Sequence, residues 1–282
     1  MHFEELIQVL LLAVIQGIAE FLPISSSGHL VVLGKVFESW FGGERENVVL
    51  TVTLHLGTLA AILVVYRHEL WGIWRKPHLC LAIVLATIPA AVLGIALKKQ
   101  IEATFEMPLV VACGWVVTAG LLWFGQRFSH DSRPLEALTL FDALTIGCFQ
   151  AVSAIFRGVS RSGSTIAGGL FIGLRRDAAA SFSFLIAIPV TAGAALVKAA
   201  PLIKLLIKGP GVEGETFATH LGGYNPEALL IGAVTSFVVG IISLRWLIRI
   251  ITRYGLDWFV YYLLVAATLT FIWQGQQFLS AK

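Results

Sequence analysis

The stretch Leu22-Pro23-Ile24-Ser25-Ser26-Ser27-Gly28 cuts an apolar run that extends from Leu6 to about Phe41, and the reading of that cut decides the fold. Further along, Arg157-Gly158-Val159-Ser160-Arg161-Ser162-Gly163 cuts a second run, from Leu140 to Leu174. Each region reads as helix, polar break, helix. A break exposes backbone N–H and C=O groups that hydrocarbon cannot satisfy, so at membrane depth it must be buried in protein or line a water-filled cavity. Two re-entrant helical hairpins are the expected result. The composition requires the membrane: of 282 residues, 57% are hydrophobic and 13% charged, with a mean hydropathy of +0.84, whereas soluble domains run at roughly 25% charged. A soluble fold and a disordered chain are both excluded.

Crossing the hydrocarbon takes about 20 mostly apolar residues as a helix. Six segments qualify: Val48 to Tyr66, Leu79 to Leu97, Pro108 to Gly125, Ala180 to Lys198, Ala228 to Leu247 and Trp258 to Trp273. Trp71, Trp74, Trp258 and Trp273 fit interfacial aromatic belts. The two breaks read as copies. Gln16 precedes Ser25 by nine residues and Gln150 precedes Ser160 by ten; both breaks end in Ser-Gly, and each half later carries an Ile-Pro pair, Ile88-Pro89 and Ile188-Pro189. Residues 1–126 then form one repeat (hairpin 6–41 plus three spans) and 139–274 the other (hairpin 140–174 plus three spans), within one membrane domain. Three crossings separate the hairpins, an odd number, so the second opens to the opposite face. This is an inverted-topology repeat whose polar tips meet near the midplane. Placing loops 67–78, 127–138, 175–178 and 248–255 in the cytoplasm gives that side ten Lys and Arg against eight, which puts both termini outside.

The N-terminal segment lacks a basic n-region and a small-residue cleavage site, so it reads as retained rather than as a signal peptide. Cys80, Cys113 and Cys148 lack CxxC spacing and read as buried packing residues rather than a disulfide framework or zinc site. Basic residues scattered along the chain argue against a nucleic-acid partner.

Chemistry concentrates at the breaks. Gln16 and Glu20 are four residues apart and share a helix face, and a carboxylate at membrane depth is retained where it meets a cation, a proton path or an ion-pair partner. Ser25-Ser26-Ser27-Gly28-His29 should start a helix, its serines at the N-cap and its free N–H groups forming an anion nest. Ser26 and His29, at i,i+3, are expected to face each other as nucleophile with base or acid. In the second break Arg161, with Ser160, Ser162, Ser164 and Thr165 at another helix N-terminus, suits phosphate oxygens in low dielectric, and Arg157 adds charge nearby. A hard, oxygen-liganded ion such as Mg²⁺ or Ca²⁺ would bridge Glu20 to a phosphate.

At these residues the sequence resembles the bacterial undecaprenyl-diphosphate phosphatases of the bacitracin-resistance family, over nearly the whole chain. Gln16-x-x-x-Glu20 followed by Phe21-Leu22-Pro23-Ile24-Ser25-Ser26-Ser27-Gly28-His29 matches the family's (E/Q)xxxE and serine-rich Gly-His segment. Gly158-Val159-Ser160-Arg161-Ser162-Gly163-Ser164-Thr165 matches its PGxSRSxxT segment. Two departures stand out. Arg157 replaces the family's proline, and Gln16 stands where many members carry Glu, which leaves a metal site one charged ligand short.

The resemblance implies dephosphorylation of the C55 polyprenyl diphosphate to the monophosphate carrier lipid of cell-wall synthesis, with Mg²⁺ or Ca²⁺ dependence and bacitracin resistance on overproduction. It also implies a homodimer in the bacterial plasma membrane with the site facing the periplasm or exterior. In roles, Ser26 is the expected nucleophile, with His29 as the alternative or as proton carrier. Arg161 stabilises the transferring phosphoryl group and Glu20 is base or metal ligand. Ser25, Ser27, Gly28, Ser160, Ser162 and Thr165 bind phosphate, and Gln16 joins Glu20 at the metal.

The rival class is a polyprenyl-lipid flippase or secondary transporter, which has no need of Ser26 beside His29. A type-2 phosphatidic-acid phosphatase would require a Lys-x6-Arg-Pro element and a histidine shortly after Ser160-Arg161, and neither is present. An intramembrane serine protease lacks its Gly-x-Ser-Gly element. His55 reads as an interhelical hydrogen-bond donor, Gln150 as a tip-bracing amide, and Gly209 to Asn225 as a polar loop, lid or linker.

Overall fold

A computed structural model describes residues 3–41, 48–103, 107–208 and 224–280. Among these residues the structure is helical without strands, apart from one isolated bridge between Arg133 and Leu174. Most of the polar stretch 209–225 lies outside the described residues.

Five helices are long and apolar enough to cross a membrane: α5 (Pro77–Ala96), α7 (Pro108–Arg127), α10 (Arg176–Lys208), α11 (Pro226–Tyr254) and α12 (Asp257–Ser280). A sixth crossing arises if α3 (Val48–Val65) and α4 (Arg67–Ile73), bent by 73° at Tyr66, count as one span. These six coincide with the six expected segments. The starts follow from local chemistry, since Pro77, Pro108 and Pro226 occupy first-turn positions where the missing N–H costs nothing. Asn225 caps α11 through Glu227, and Gly255 at φ +78 ends it.

Three helices overrun the expected spans: α10 runs to Lys208, α11 to Tyr254 and α12 to Ser280. The apolar window of α11 is Ala228 to Leu247, yet the helix continues to Tyr254. Arg245, Arg249 and Arg253 recur every four residues there, so one face can carry the charge while Leu247 and Ile251 remain buried. Outward-facing residues are strongly apolar, among them Ile95, Leu230, Val92 and Leu269, and α5 is largely exposed despite its hydropathy. Such a surface suits lipid and would aggregate in water. The cysteines correct the expectation: Cys113 and Cys148 are exposed and Cys80 is only half-buried, none of them in a disulfide. With lipid as solvent, a small apolar side chain has no need of the interior.

The remaining helices are shorter: α1 (Phe3–Ala19), α2 (Ser26–Phe41), α6 (Lys98–Ala103), α8 (Leu140–Ile155) and α9 (Arg161–Phe171). The helix, break, helix order is therefore present twice, as α1 with α2 and as α8 with α9, and each pair is in contact. Helix α9 is buried all round from Ser162 to Leu170, between α7, α8 and α10. Its small residues allow this, because a side chain at Gly163 would strike Thr118 and the backbone of Gly125 abuts Ala167.

Candidate active site

In the first break the chain leaves α1 at Ala19 and re-enters helix at Ser26. Ser25 takes φ 72, one of two non-glycine residues with positive φ among those described. This left-handed geometry costs a side-chain-bearing residue roughly 1–3 kcal/mol and persists only where its surroundings fix it. Three bonds fix it here: Ser25 Oγ accepts from the Gly28 N–H at 3.3 Å, and the Ser25 carbonyl accepts from the His29 N–H at 3.2 Å and from His29 Nδ1 at 2.8 Å. Ser25 is thus the expected N-cap. Since a carbonyl can only accept, Nδ1 carries the proton; in the neutral ring Nε2 then accepts from the Tyr262 hydroxyl at 2.6 Å. Tyr262 stacks on His29 at 5.7 Å and Trp115 packs at 4.8 Å.

The second break is held differently. Gly158 has φ +86, and a Cβ there would collide with the Val111 backbone on α7; Gly114 of α7 faces the Arg157–Gly158 backbone with equally little room. Two glycines therefore seat this turn directly on α7. Ser160 caps α9 by accepting from the Gly163 N–H at 3.1 Å, and its own N–H donates to Thr118 Oγ1 at 2.9 Å.

The breaks meet. Arg161 Nη2 donates to Glu20 Oε1 at 2.6 Å, and Ser162 Oγ to the Leu22 carbonyl at 3.1 Å. Glu20 Oε2 accepts from Ser26 Oγ at 2.7 Å and from Gln16 Nε2 at 3.0 Å, with His55 Nε2 at 3.6 Å. All of Glu20, Ser26 and Gln16 are buried. A cleft of about 210 Å³ opens over Glu20, Ser25, Ser26, Ser27, Ser160, Arg161 and Ser162, walled by Thr51 and His55 of α3 and by Val190 to Lys198 of α10.

One expected pair is not formed. Ser26 bonds Glu20 rather than His29, and His29 engages Ser25 and Tyr262 without lining the cleft. The i,i+3 argument assumed both residues in the body of a helix, whereas Ser26 is the first helical residue after a left-handed turn that aims its hydroxyl back at α1. Gly28 and Thr165 also stand off the cleft: the Gly28 N–H is taken by Ser25, and Thr165 Oγ1 bonds the Arg161 carbonyl and Ser183 Oγ. Gln150 donates to the Ala86 carbonyl of α5, bracing two helices rather than the tip. His55 was expected to be an interhelical donor; it lines the cleft beside Glu20, its Nδ1 on the Thr51 carbonyl. Its sequence signal was a histidine in mid-span with Thr51 one turn earlier on the same face.

No three of His, Cys, Asp or Glu cluster to hold a metal among the described residues. Glu20 is nevertheless flanked by Gln16 Oε1, a buried carbonyl oxygen without a hydrogen-bond partner. One carboxylate and one amide oxygen make the kind of partial seat that phosphate oxygens and water complete around a hard cation.

Residues 9–269 match the family described as bacitracin resistance protein BacA. The undecaprenyl-diphosphatase of Rhodopirellula baltica is 42% identical over 267 residues, 94% of this chain and 97% of that protein. Those of Idiomarina loihiensis, 36% identical over 95% of this chain and 98% of the relative, and Carboxydothermus hydrogenoformans, 33% over 95% and 97%, are similar throughout.

Proposed function

Since the chain belongs to the bacitracin resistance protein BacA family, we propose that the Glu20–Ser26–Arg161 cleft is where undecaprenyl diphosphate loses its terminal phosphate, with Ser26 as nucleophile. The activity is dephosphorylation of that lipid by a multi-pass helical membrane protein, and the family's name ties it to bacitracin resistance. One observation carries the assignment of roles: the Ser26 hydroxyl donates to a carboxylate oxygen at 2.7 Å while Arg161 holds the other oxygen at 2.6 Å.

Ser26 Oγ passes its proton to Glu20 Oε2 as it bonds the terminal phosphorus. The bond from that phosphorus to the bridging oxygen breaks, and its electron pair leaves with undecaprenyl phosphate. A phosphate monoester with a second pKa of about 6 departs without a proton donor, so no second acid is needed. Arg161 has five N–H donors and spends one on Glu20 and one on the Ser183 carbonyl, so others remain for the equatorial oxygens. Water then attacks the phosphorus of the phosphoserine and passes a proton to His55; the Oγ–phosphorus bond breaks, Glu20 returns its proton to Ser26 Oγ, and inorganic phosphate leaves. His29 acts at one remove: through Nδ1 it holds the turn that points Ser26 at Glu20. A Mg²⁺ or Ca²⁺ ion, held by Glu20 and Gln16 Oε1, would offset phosphate charge when bound.

The breaks are read as re-entrant tips of inverted repeats, 1–126 and 139–274. Helix contacts support this. Exchanging α1 with α8, α2 with α9, α3 with α10, α5 with α11 and α7 with α12 maps the α1–α11 contact onto α8–α5, α3–α11 onto α10–α5 and α1–α2 onto α8–α9. It returns α3–α10 and α7–α12 to themselves. The charge asymmetry of the loops supports a cleft facing the periplasm or exterior of the bacterial plasma membrane, and the resemblance supports a homodimer. Rapid quench with terminally ³²P-labelled undecaprenyl diphosphate tests the nucleophile: label on Ser26 is expected, and label on another residue overturns the assignment.

A further inference from the structure

One exposed face of α11 changes chemistry along its length. Val234, Val238 and Ile242 recur every four residues, Arg245 follows three residues on, and Arg249 and Arg253 continue the spacing, so all six lie along one side of the helix. Val238 is 48% exposed and Ile242 63%, and the three arginines are exposed. The apolar half and the basic half are each about 12 Å long at a rise of about 1.5 Å per residue. Gly57 of α3 faces Ala233 of α11 and Gly240 faces Ala61, so the two helices run parallel. The basic half therefore lies level with and beyond the end of α3, away from the cleft, which meets α3 at Thr51 and His55.

Other cations at that end are matched. Arg133 pairs with Asp142, Arg175 with Asp177, Arg176 with Asp131 and Lys76 with Glu136. The turns at 66–76, 128–139, 172–175 and 255–256, which close this end, all belong to the described residues. Even so, no acid or carbonyl among the described residues is bonded to Arg245 or Arg249, and Arg253 has only the Tyr254 ring, at 5.4 Å. An apolar track that runs into unmatched arginines has the layout of a phospholipid. We propose that this face of α11 binds an anionic phospholipid of the surrounding bilayer, its chains along Val234, Val238 and Ile242 and its phosphate on Arg245 and Arg249. Guanidinium groups take phosphate oxygens in pairs, and basic clusters at the end of a span attract anionic headgroups. A free phosphate ion would leave the apolar track unused. The face stands apart from the cleft, so its occupant does not depend on the chemistry proposed there.

The test titrates the purified full chain in detergent with acyl-labelled phosphatidylglycerol and, separately, acyl-labelled phosphatidylcholine. The wild type is expected to bind the anionic lipid about ten-fold more tightly, and the double variant Arg245→Gln/Arg249→Gln to bring the two lipids within about two-fold. Arg75→Gln/Arg127→Gln removes the same charge from exposed positions off this face and should keep the preference. Val238→Asn/Ile242→Asn should weaken both lipids alike and leave their ratio, and unchanged affinity there overturns the track as the seat of the chains. A preference that survives in Arg245→Gln/Arg249→Gln overturns the site, and an equal loss in Arg75→Gln/Arg127→Gln does so too, in favour of diffuse surface charge. Displacement of the label by undecaprenyl monophosphate at lower concentration than by unlabelled phosphatidylglycerol overturns the choice of occupant. Circular dichroism checks that each variant is folded. If the double arginine variant is not, Arg249→Gln alone decides: a fall in preference of about three-fold is expected, and an unchanged ratio overturns the site.

Discussion

The two breaks share a plan and differ in what holds them. Each is a serine-capped helix start after an apolar helix, yet the first is fixed by side-chain hydrogen bonds around a strained Ser25, and the second by backbone pressed on backbone at Gly114 and Gly158. The first presents its hydroxyl and carboxylate to the cleft; the second opens a helix buried on all sides. On the proposed reading the first break carries the reacting groups and the second supplies the counter-charge, with Arg161 reaching across to Glu20.

The sharpest way to break this contrast is to remove the corresponding hydroxyls. Ser26→Ala is expected to lower kcat on the order of 10⁴-fold with unchanged thermal stability. Ser160→Ala should cost about 1 kcal/mol of stability, as a lost cap does, and reduce kcat by less than about ten-fold. Equal kinetic losses would mean that both breaks react. Arg161→Ala comes next: it leaves Glu20 buried without its partner, so a destabilisation of about 3–5 kcal/mol should accompany loss of turnover, and the double variant with Glu20→Gln should recover stability but not activity.

His29 then separates positioning from proton transfer. The amide of His29→Asn can still donate to the Ser25 carbonyl from the position of Nδ1, whereas His29→Gln cannot. Asn is expected to retain kcat within about thirty-fold and Gln to lose about a thousand-fold, both measured as phosphate release across pH. Equal losses, with one limb of the wild-type pH profile gone, would restore His29 as acid or base. The smallest effect concerns the cation: Gln16→Glu should lower the Mg²⁺ concentration for half-activity by about ten-fold, and no change would remove residue 16 from the metal seat.

Hydropathy made the spans legible because lipid selects length and apolarity directly, and the breaks were legible because polar runs are costly at that depth. Serine caps and the need of Glu20 for a partner followed from the same cost, whereas the identity of that partner, Arg161, emerges only where the two breaks meet. Overrun in α11 was hidden because its arginines read as an end of apolarity, although one helical face accommodates them. The partner of Ser26 was hidden by the Ser25 backbone, whose φ no spacing rule conveys. Tyr262, Thr118 and Ser183 support the site from distant helices, and only tertiary packing brings them there. His55 drew attention as a mid-span histidine, but its place beside Glu20 depends on how α3 lies against the first break.

The Glu20–Arg161 contact also changes what binding means here. If phosphate binds here as proposed, a site that already contains its own counter-ion does not gather it by bare charge; the incoming dianion must share one guanidinium with a carboxylate. The net charge that the phosphate meets is then the guanidinium partly offset by Glu20, rather than a bare cation. Affinity at this cleft should respond weakly to added salt.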